Sequence, residues 1–438
     1  MTFVDEGEAA EHIKGICLKT GPPALVGVEL EWLVRDVRDP ALPVSAERLA
    51  AAVAPLMPVA RLGLPTSARP GLLPSGAPLS AEPGGQLEIS SLPADSLTDL
   101  VRATRADLAA LRAIVATAGL ELAGYGIDPV RPPRRILDLP RYAAMEAFFD
   151  ADGSWGRAMM CTTASVQVCL DAGDESDGPS GYRWRWRLLH AIGPVLVAAF
   201  ANSPLREGSR AGWRSARQQL WAQLDPGRTR PPDLSGDLRA AWSSYALDAR
   251  LMCVRNPDSA DWSAPPGLTF RDWVRGARLR RPSARDLDYH LSTLFPPVRP
   301  RGHFELRMID AQQGDGWVVP LAVTAALLFD GQAGQAALAA TAPLWPADPG
   351  TGRDTGTGTG TGTGGSGTRA EGPWQRAARL GPADPLLARA SRDCFAAARA
   401  ALERMAAPVD ITAAVDDFTE RYVRRGRCPA DDLLEEAG

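Results

Sequence analysis

Four short stretches of this chain set carboxylates and amides at a two-residue spacing. Side chains alternate across a strand, so in VGVELEW the residues Val26, Val28, Leu30 and Trp32 take one face and Glu29 and Glu31 the other. In GGQLEIS, Leu87 and Ile89 oppose Gln86 and Glu88. In ASVQVCL, Val166, Val168 and Leu170 oppose Gln167. In HFELRMI, Phe304, Leu306 and Met308 oppose His303, Glu305 and Arg307. Any one such strand reads most simply as half-solvated. Four whose polar faces are dominated by Glu and Gln point instead to a shared acidic site.

Such a site carries a cost that identifies its ligand. Two carboxylates about 7 Å apart on one strand repel by about 2 kcal/mol at an effective dielectric near 20. Adding Glu88, Glu305 and Glu82, the last in the loop EPGG, multiplies the penalty. The cluster therefore calls for cations, and all-oxygen donors with one amide suit magnesium or manganese rather than zinc. Magnesium usually arrives with substrate phosphates, so the expected companion is a nucleoside triphosphate. Arg307, two residues beyond Glu305 on the same face, is placed to neutralise a transferring phosphoryl group.

Positioning these residues needs strands at Leu25–Arg35, Gln86–Ser90, Leu120–Tyr125, Ala164–Leu170 and His303–Ile309. Apolar residues at helical spacing predict helices at 4–16, Leu97–Thr117, Tyr142–Phe149, Tyr182–Ala201, Arg214–Gln223 and Trp317–Leu328, with two closing helices at Trp374–Met405 and Asp410–Arg424. The strands are too far apart for βαβ repeats, so the expected class is α+β. Residues 1–345 are expected to form the catalytic domain, and 373–438 a helical segment completing it. The intervening 346–372, rich in Gly and Thr, reads as a flexible insertion, since it lacks the GK[ST] ending of a phosphate loop.

Net charge is −4, with 48 basic and 52 acidic residues interspersed, which leaves no electrostatic footprint for nucleic acid or an anionic membrane. The acidic N-terminus is unlike a signal peptide and no apolar run spans a bilayer, so a cytoplasmic protein is expected. Six scattered cysteines and four scattered histidines give neither a disulfide framework nor a zinc site. A monomer or a homodimer is equally compatible.

The stretches EPGGQLEIS, TTASVQVCLDAG, FANSPLREG, SARQQLWAQLDPGRT, YALDARLM and LFPPVRPRGHFELRMIDAQ resemble the signature segments of plant-type glutamate–cysteine ligases. The likeness is greatest to the actinobacterial branch serving ergothioneine synthesis, and it runs in order from about residue 25 to 330, with a weaker echo at RGRCPADD. It implies a fold like the glutamine synthetase catalytic domain, a curved antiparallel sheet with an active concave face and helices outside. It implies ATP, glutamate and cysteine as substrates, and Mg²⁺ held by Glu29, Glu31, Glu82, Glu88, Gln167 and Glu305. Arg307 matches a phosphate-contacting arginine, with Glu305 beside it as the second residue expected to act in catalysis, and Arg217 a glutamate-binding one. The chain departs at Thr162, where plant members carry a second glutamate-binding arginine, and Arg157 or Arg214 stand nearby as substitutes. The alternatives are a ligase of the same superfamily using another amine, or a non-catalytic nucleotide-binding relic.

Overall fold

The computed structural model describes residues 2–3, 5–21, 24–56, 72–345 apart from 235, 257 and 278, and 371–437. The 346–372 insertion lies outside the described residues except at 371 and 372, as does most of the Pro/Gly-rich stretch before Leu73. Nine strands are described: β1 (Val26–Asp36), β2 (Leu79–Ala81), β3 (Leu87–Ser90), β4 (Leu120–Ala123), β5 (Ser165–Leu170), β6 (Leu205–Arg206), β7 (Ser209–Arg210), β8 (Val298–Pro300) and β9 (Phe304–Asp310). Seven of them make one antiparallel sheet in the order β2-β3-β1-β5-β9-β8, with β4 on the far half of β1, while β6 and β7 form a separate hairpin. With helices abundant around this open sheet, the class is α+β.

The alternation expected of the strands holds on the apolar face. Val28, Leu30 and Trp32, Leu87 and Ile89, Val166 and Val168, and Phe304 and Leu306 are all buried in one core. Helices Leu97–Thr117, Tyr182–Ala199 and Val318–Phe329 share that core. The first begins where Ser96 caps the Asp99 amide and has the predicted bounds.

The closing helices differ from expectation. Trp374–Met405 is two helices, Pro373–Leu380 and Pro385–Arg404, because Gly381 takes φ +56° and Pro382 and Pro385 follow. Their attachment is specific: a Cβ on Gly193 would lie 2.0 Å from the Trp374 ring, and Phe200, Phe395 and Phe418 pack with centroids 5.0 to 5.9 Å apart. The last predicted helix is Val409–Phe418, which passes into a π turn at Thr419–Val423.

Two core histidines tie the fold to pH. Burial pushes the His190 imidazole down to about 4, and burial beside Arg228 pushes His290 down to about 3. Both are neutral in the fold, whereas the unfolded chain takes up a proton near pH 6.5. Each contribution is therefore complete above about pH 6.5 and lost as pH falls toward the folded value, by about 2 kcal/mol per group at pH 5. In His290→Gln, whose amide can still donate to the Ala246 carbonyl that His290 Nε2 meets at 2.9 Å, the stability lost between pH 7 and pH 5 should shrink by about that amount. Equal losses in variant and wild type, measured by denaturant titration, would remove His290 as the source.

Candidate active site

Strand order converts four separate polar faces into one wall. Glu31 of β1 stands directly across from Glu88 of β3, and Glu29 directly across from Gln167 of β5. Neutral donors hold the wall in place. Ser165 Oγ and Gln167 Nε2 donate to the two Glu31 oxygens at 2.9 Å, and Ser80 Oγ donates to Glu88 at 3.0 Å. Glu82 joins them through the turn from β2 to β3. There the Gly85 amide donates to Glu82 O at 2.8 Å with Gly85 at φ +89°, and a Cβ on Gly84 would lie 2.0 Å from the Cys161 carbonyl oxygen. EPGG is glycine-rich because this turn is both left-handed and pressed against helix Trp155–Thr162.

Burial and mutual repulsion disturb these carboxyls. Burial, then the charges on Glu305 and Glu31 respectively, pushes Glu29 and Glu82 each up to about 7. Glu88 is pushed well above the carboxylate range by burial and then by Glu29.

Opposite the carboxylates stands a set of guanidinium groups. The hairpin VRPRGHFE folds about Gly302 (φ +79°), which sets Arg299 directly across from Glu305. Arg299 Nη2 reaches the two Glu305 oxygens at 2.7 and 2.9 Å, Arg301 Nη1 lies 3.5 Å from one, and Arg307 Nη1 bonds both Glu305 and Gln167 Oε1. Burial alone would raise the Glu305 carboxyl, but Arg299, Arg307 and Arg301 together hold it well below the usual range. Glu305 is fully buried and does not line the cleft, whereas Arg299, Arg301 and Arg307 do. Glu305, expected as a metal ligand and catalytic residue, stands in this structure behind the cleft and pairs with three arginines that line it.

Arg217 forms the floor of the adjoining hollow, which Glu31, Glu82, Met145, Met160 and Phe295 also line. Ser215 caps its helix, Ala216–Ala222, by accepting from the Gln218 amide. Arg217 is 2% exposed, and only Nη2 is committed, to the Arg307 carbonyl at 2.8 Å. Nε and Nη1 have no hydrogen-bond partner among the described residues, a costly state for buried donors unless a ligand supplies acceptors.

Behind Arg217 at 3.8 Å lies Asp310, held by the Asn202 amide and by Ser203 and Ser215 hydroxyls at 2.7 to 3.0 Å. Asp310 was not among the residues that alternation selects. The pairing of β5 with β9 slips between Val166 and Val168, so Ile309 meets Val166 and Asp310 meets Ser165. This bulge shifts the parity of β9 and turns Asp310 to the polar face.

Three expected residues do not reach the cleft. The Thr162 hydroxyl is spent on the Ala158 carbonyl at 2.6 Å. Arg214 Nε is 2.7 Å from Asp431 of the C-terminal helix Pro429–Glu436, and Arg157 pairs with Glu146 and Asp150. None of the three lines either hollow. The guanidinium groups that do line them, and that alternation did not select, are Arg141, Arg299 and Arg301. For Arg299 and Arg301 the signal was present, since Arg299 and Glu305 flank Gly302 symmetrically.

Past Glu29 the polar face continues into a further hollow lined by Gly27, Cys169 and His303, with Lys19 at its edge. His303 Nε2 is buried there without a hydrogen-bond partner among the described residues.

Among the described residues no three His, Cys, Asp or Glu side chains converge closely enough to hold an ion by themselves. The oxygen donors still fit a hard cation that keeps waters and takes phosphate oxygens, as magnesium does.

A family model described as glutamate–cysteine ligase family 2 matches residues 25–350. The chain is 38% identical over 441 residues to glutamate–cysteine ligase EgtA of Mycobacterium tuberculosis (strain H37Rv), covering 99% of this chain and 90% of that protein. It is 32% identical over 291 residues to the chloroplastic glutamate–cysteine ligase of Brassica juncea, covering 64% of this chain and 55% of the plant protein. In fold it is similar to a Francisella tularensis glutamate–cysteine ligase solved with AMP, at 10% identity and a TM-score of 0.50, covering 95% of this chain and 85% of the other.

Proposed function

Because the chain belongs to glutamate–cysteine ligase family 2, we propose that it joins the γ-carboxylate of glutamate to the amine of cysteine at the expense of ATP, giving γ-glutamylcysteine. The observation that carries this reading is one cleft with a carboxylate wall, an arginine wall and a floor arginine with two open donors. Likeness to the mycobacterial ligases named EgtA, together with the signature segments of the ergothioneine branch, supports ergothioneine synthesis as the use of the product.

The reaction proceeds through an acyl phosphate. A γ-carboxylate oxygen of glutamate attacks the γ-phosphorus of ATP, and ADP leaves. The cysteine nitrogen then attacks the acyl carbon, phosphate leaves, and the amine proton passes to solvent or phosphate. No protein nucleophile takes part, in keeping with cysteines whose thiols burial holds protonated: Cys161 is pushed up to about 12 and Cys169 well above its usual range.

The residues divide the substrates among them. The two open donors of Arg217 bind a glutamate carboxylate as charge-assisted hydrogen bonds. Arg299, Arg301 and Arg307, preset by Glu305, meet charge on the phosphates. The hollow at Gly27, Cys169 and His303 lies beyond Glu29, on the side away from Arg217, and takes the nucleotide's base end. Glu29, Glu31, Glu82 and Glu88, with Gln167 beside them, would hold magnesium, which neutralises phosphate charge when bound.

Mass detection of γ-glutamylcysteine from ATP, glutamate and cysteine, with ADP formed in equal amount, tests the reading. ADP release with another amine but not with cysteine would move the chain to a sister ligase. No ADP with any amine would leave only nucleotide binding.

A further inference from the structure

We propose that Arg141 binds the carboxylate of the incoming amine-bearing amino acid, and that the cleft uses it to distinguish an amino acid from a simple amine. The inference rests on the ligase reading above.

Five guanidinium groups line the two adjoining hollows: Arg141, Arg217, Arg299, Arg301 and Arg307. Four have a carboxylate within 4 Å. Arg299, Arg301 and Arg307 share Glu305, and Arg217 lies 3.8 Å from Asp310. Arg141 has no such partner among the described residues. Its Nη1 donates to Ser292 Oγ and its Nη2 to the Ser292 carbonyl, each at 3.1 Å, and its Cζ sits 5.0 Å from the centre of the Tyr289 ring. These neutral contacts fix the planar group without cancelling its charge. A half-buried cation held this way, facing a cleft, is a receptor for an anion with two oxygens.

Four anionic groups enter this cleft, and three already have cations. The triphosphate meets Arg299, Arg301 and Arg307, and the glutamate γ-carboxylate, which attacks the γ-phosphorus, shares those arginines at the point of transfer. The glutamate α-carboxylate meets Arg217. The carboxylate of the acceptor remains, and Arg141 is the cation that remains.

The neighbours of Arg141 suit the rest of that substrate. Arg141 and Met145 are four residues apart on helix Pro140–Asp150 and so share a face. Met145 and Phe295 border both hollows, and Met159 and Met160 line the inner one. An amino acid anchored by its carboxylate on Arg141 therefore has a lining of thioethers and a ring within its reach, a polarizable setting suited to a thiol.

The test compares cysteine with cysteamine, which is cysteine without its carboxylate, in the wild type and in Arg141→Gln. The wild type should prefer cysteine in kcat/KM by roughly tenfold to more than a hundredfold, the range of one charge-assisted bond. In Arg141→Gln that preference should collapse toward unity, because KM for cysteine rises while the cysteamine reaction falls far less. KM for glutamate and for ATP should move by less than about threefold. Arg141→Lys should recover part of the preference, which a merely structural defect would not allow. A cysteine-to-cysteamine ratio unchanged in Arg141→Gln overturns the proposal. So does a loss that falls on glutamate or on ATP, which would give Arg141 to the other amino acid or to the triphosphate. A wild type that ligates neither acceptor would sink the ligase reading itself, and this inference with it.

Discussion

Glu31→Gln and Glu88→Gln are each expected to melt higher than the wild type in the absence of Mg²⁺ and ATP, and to lose ligase activity by about a hundredfold to a thousandfold. The two effects share one cause. Glu31 and Glu88 are directly opposed across β1 and β3, and burial together with the charges of Glu29, Glu82 and Glu31 makes Glu88 hold a proton well above the carboxylate range, at a cost to the fold. Glutamine at either position removes part of that cost, about 1 kcal/mol or more in the ligand-free protein, since an amide needs neither a proton nor a counter-charge. It also removes a charge that the magnesium reading requires once ATP is present. Glu88→Gln is the cleaner variant, because a glutamine oxygen still accepts from Ser80. At Glu31 both oxygens are engaged, by Ser165 and Gln167, so one contact must be remade.

Ordinary damage lowers stability and activity together, whereas a vacated cation site raises one and lowers the other. Thermal melting with and without Mg²⁺ and ATP, beside an ADP-release assay, separates them. If both variants keep wild-type activity and the wild-type melting shift on adding the ligands, these carboxylates only face water.

Arg217→Ala should raise KM for glutamate by roughly tenfold to more than a hundredfold, with KM for ATP and cysteine shifting by less than about threefold. The expectation follows from two buried donors, Nε and Nη1, that have no acceptor among the described residues. The variant leaves Asp310 without its cation, although the Asn202, Ser203 and Ser215 donors remain. A melting curve should accompany the kinetics, since removing one partner of a buried pair costs about 3–5 kcal/mol when nothing else compensates. Arg217→Lys, which keeps the charge but not the fork, should fall between alanine and wild type in KM for glutamate. Comparable increases for all three substrates would take Arg217 out of the glutamate site.

The acidic wall was legible because its information is local. A strand has a period of two, so VGVELEW, GGQLEIS and ASVQVCL each state which side chains leave the core, whatever the strand pairs with. Repetition of one chemistry on those faces was enough to infer that the strands share one polar wall. The helix at Leu97–Thr117 was legible for the same reason, since its apolar stripe and Ser96 cap lie within one short segment.

Other features of the site depend on partners far away in the chain. The order β3-β1-β5-β9 decides that Glu31 faces Glu88 and that Glu29 faces Gln167, and no local pattern encodes strand order. The bulge in β9 decides that Asp310 backs Arg217, because a bulge is set by the neighbouring strand and resets the alternation beyond it. Glu305 shows that even neighbours in the chain must be folded before their pairing can be read. Its residue type and parity suit a metal ligand, but the β8–β9 hairpin sets Arg299 across from it, and Arg301 and Arg307 complete its burial. The sequence by itself determined which charges leave the core, because side-chain direction follows from local backbone geometry. Only the tertiary structure decided which of those charges line the cleft and which neutralise one another, because Coulomb pairing depends on distances that register and packing set, between segments as near in the chain as Arg299 and Glu305 or as far as Glu29 and Gln167.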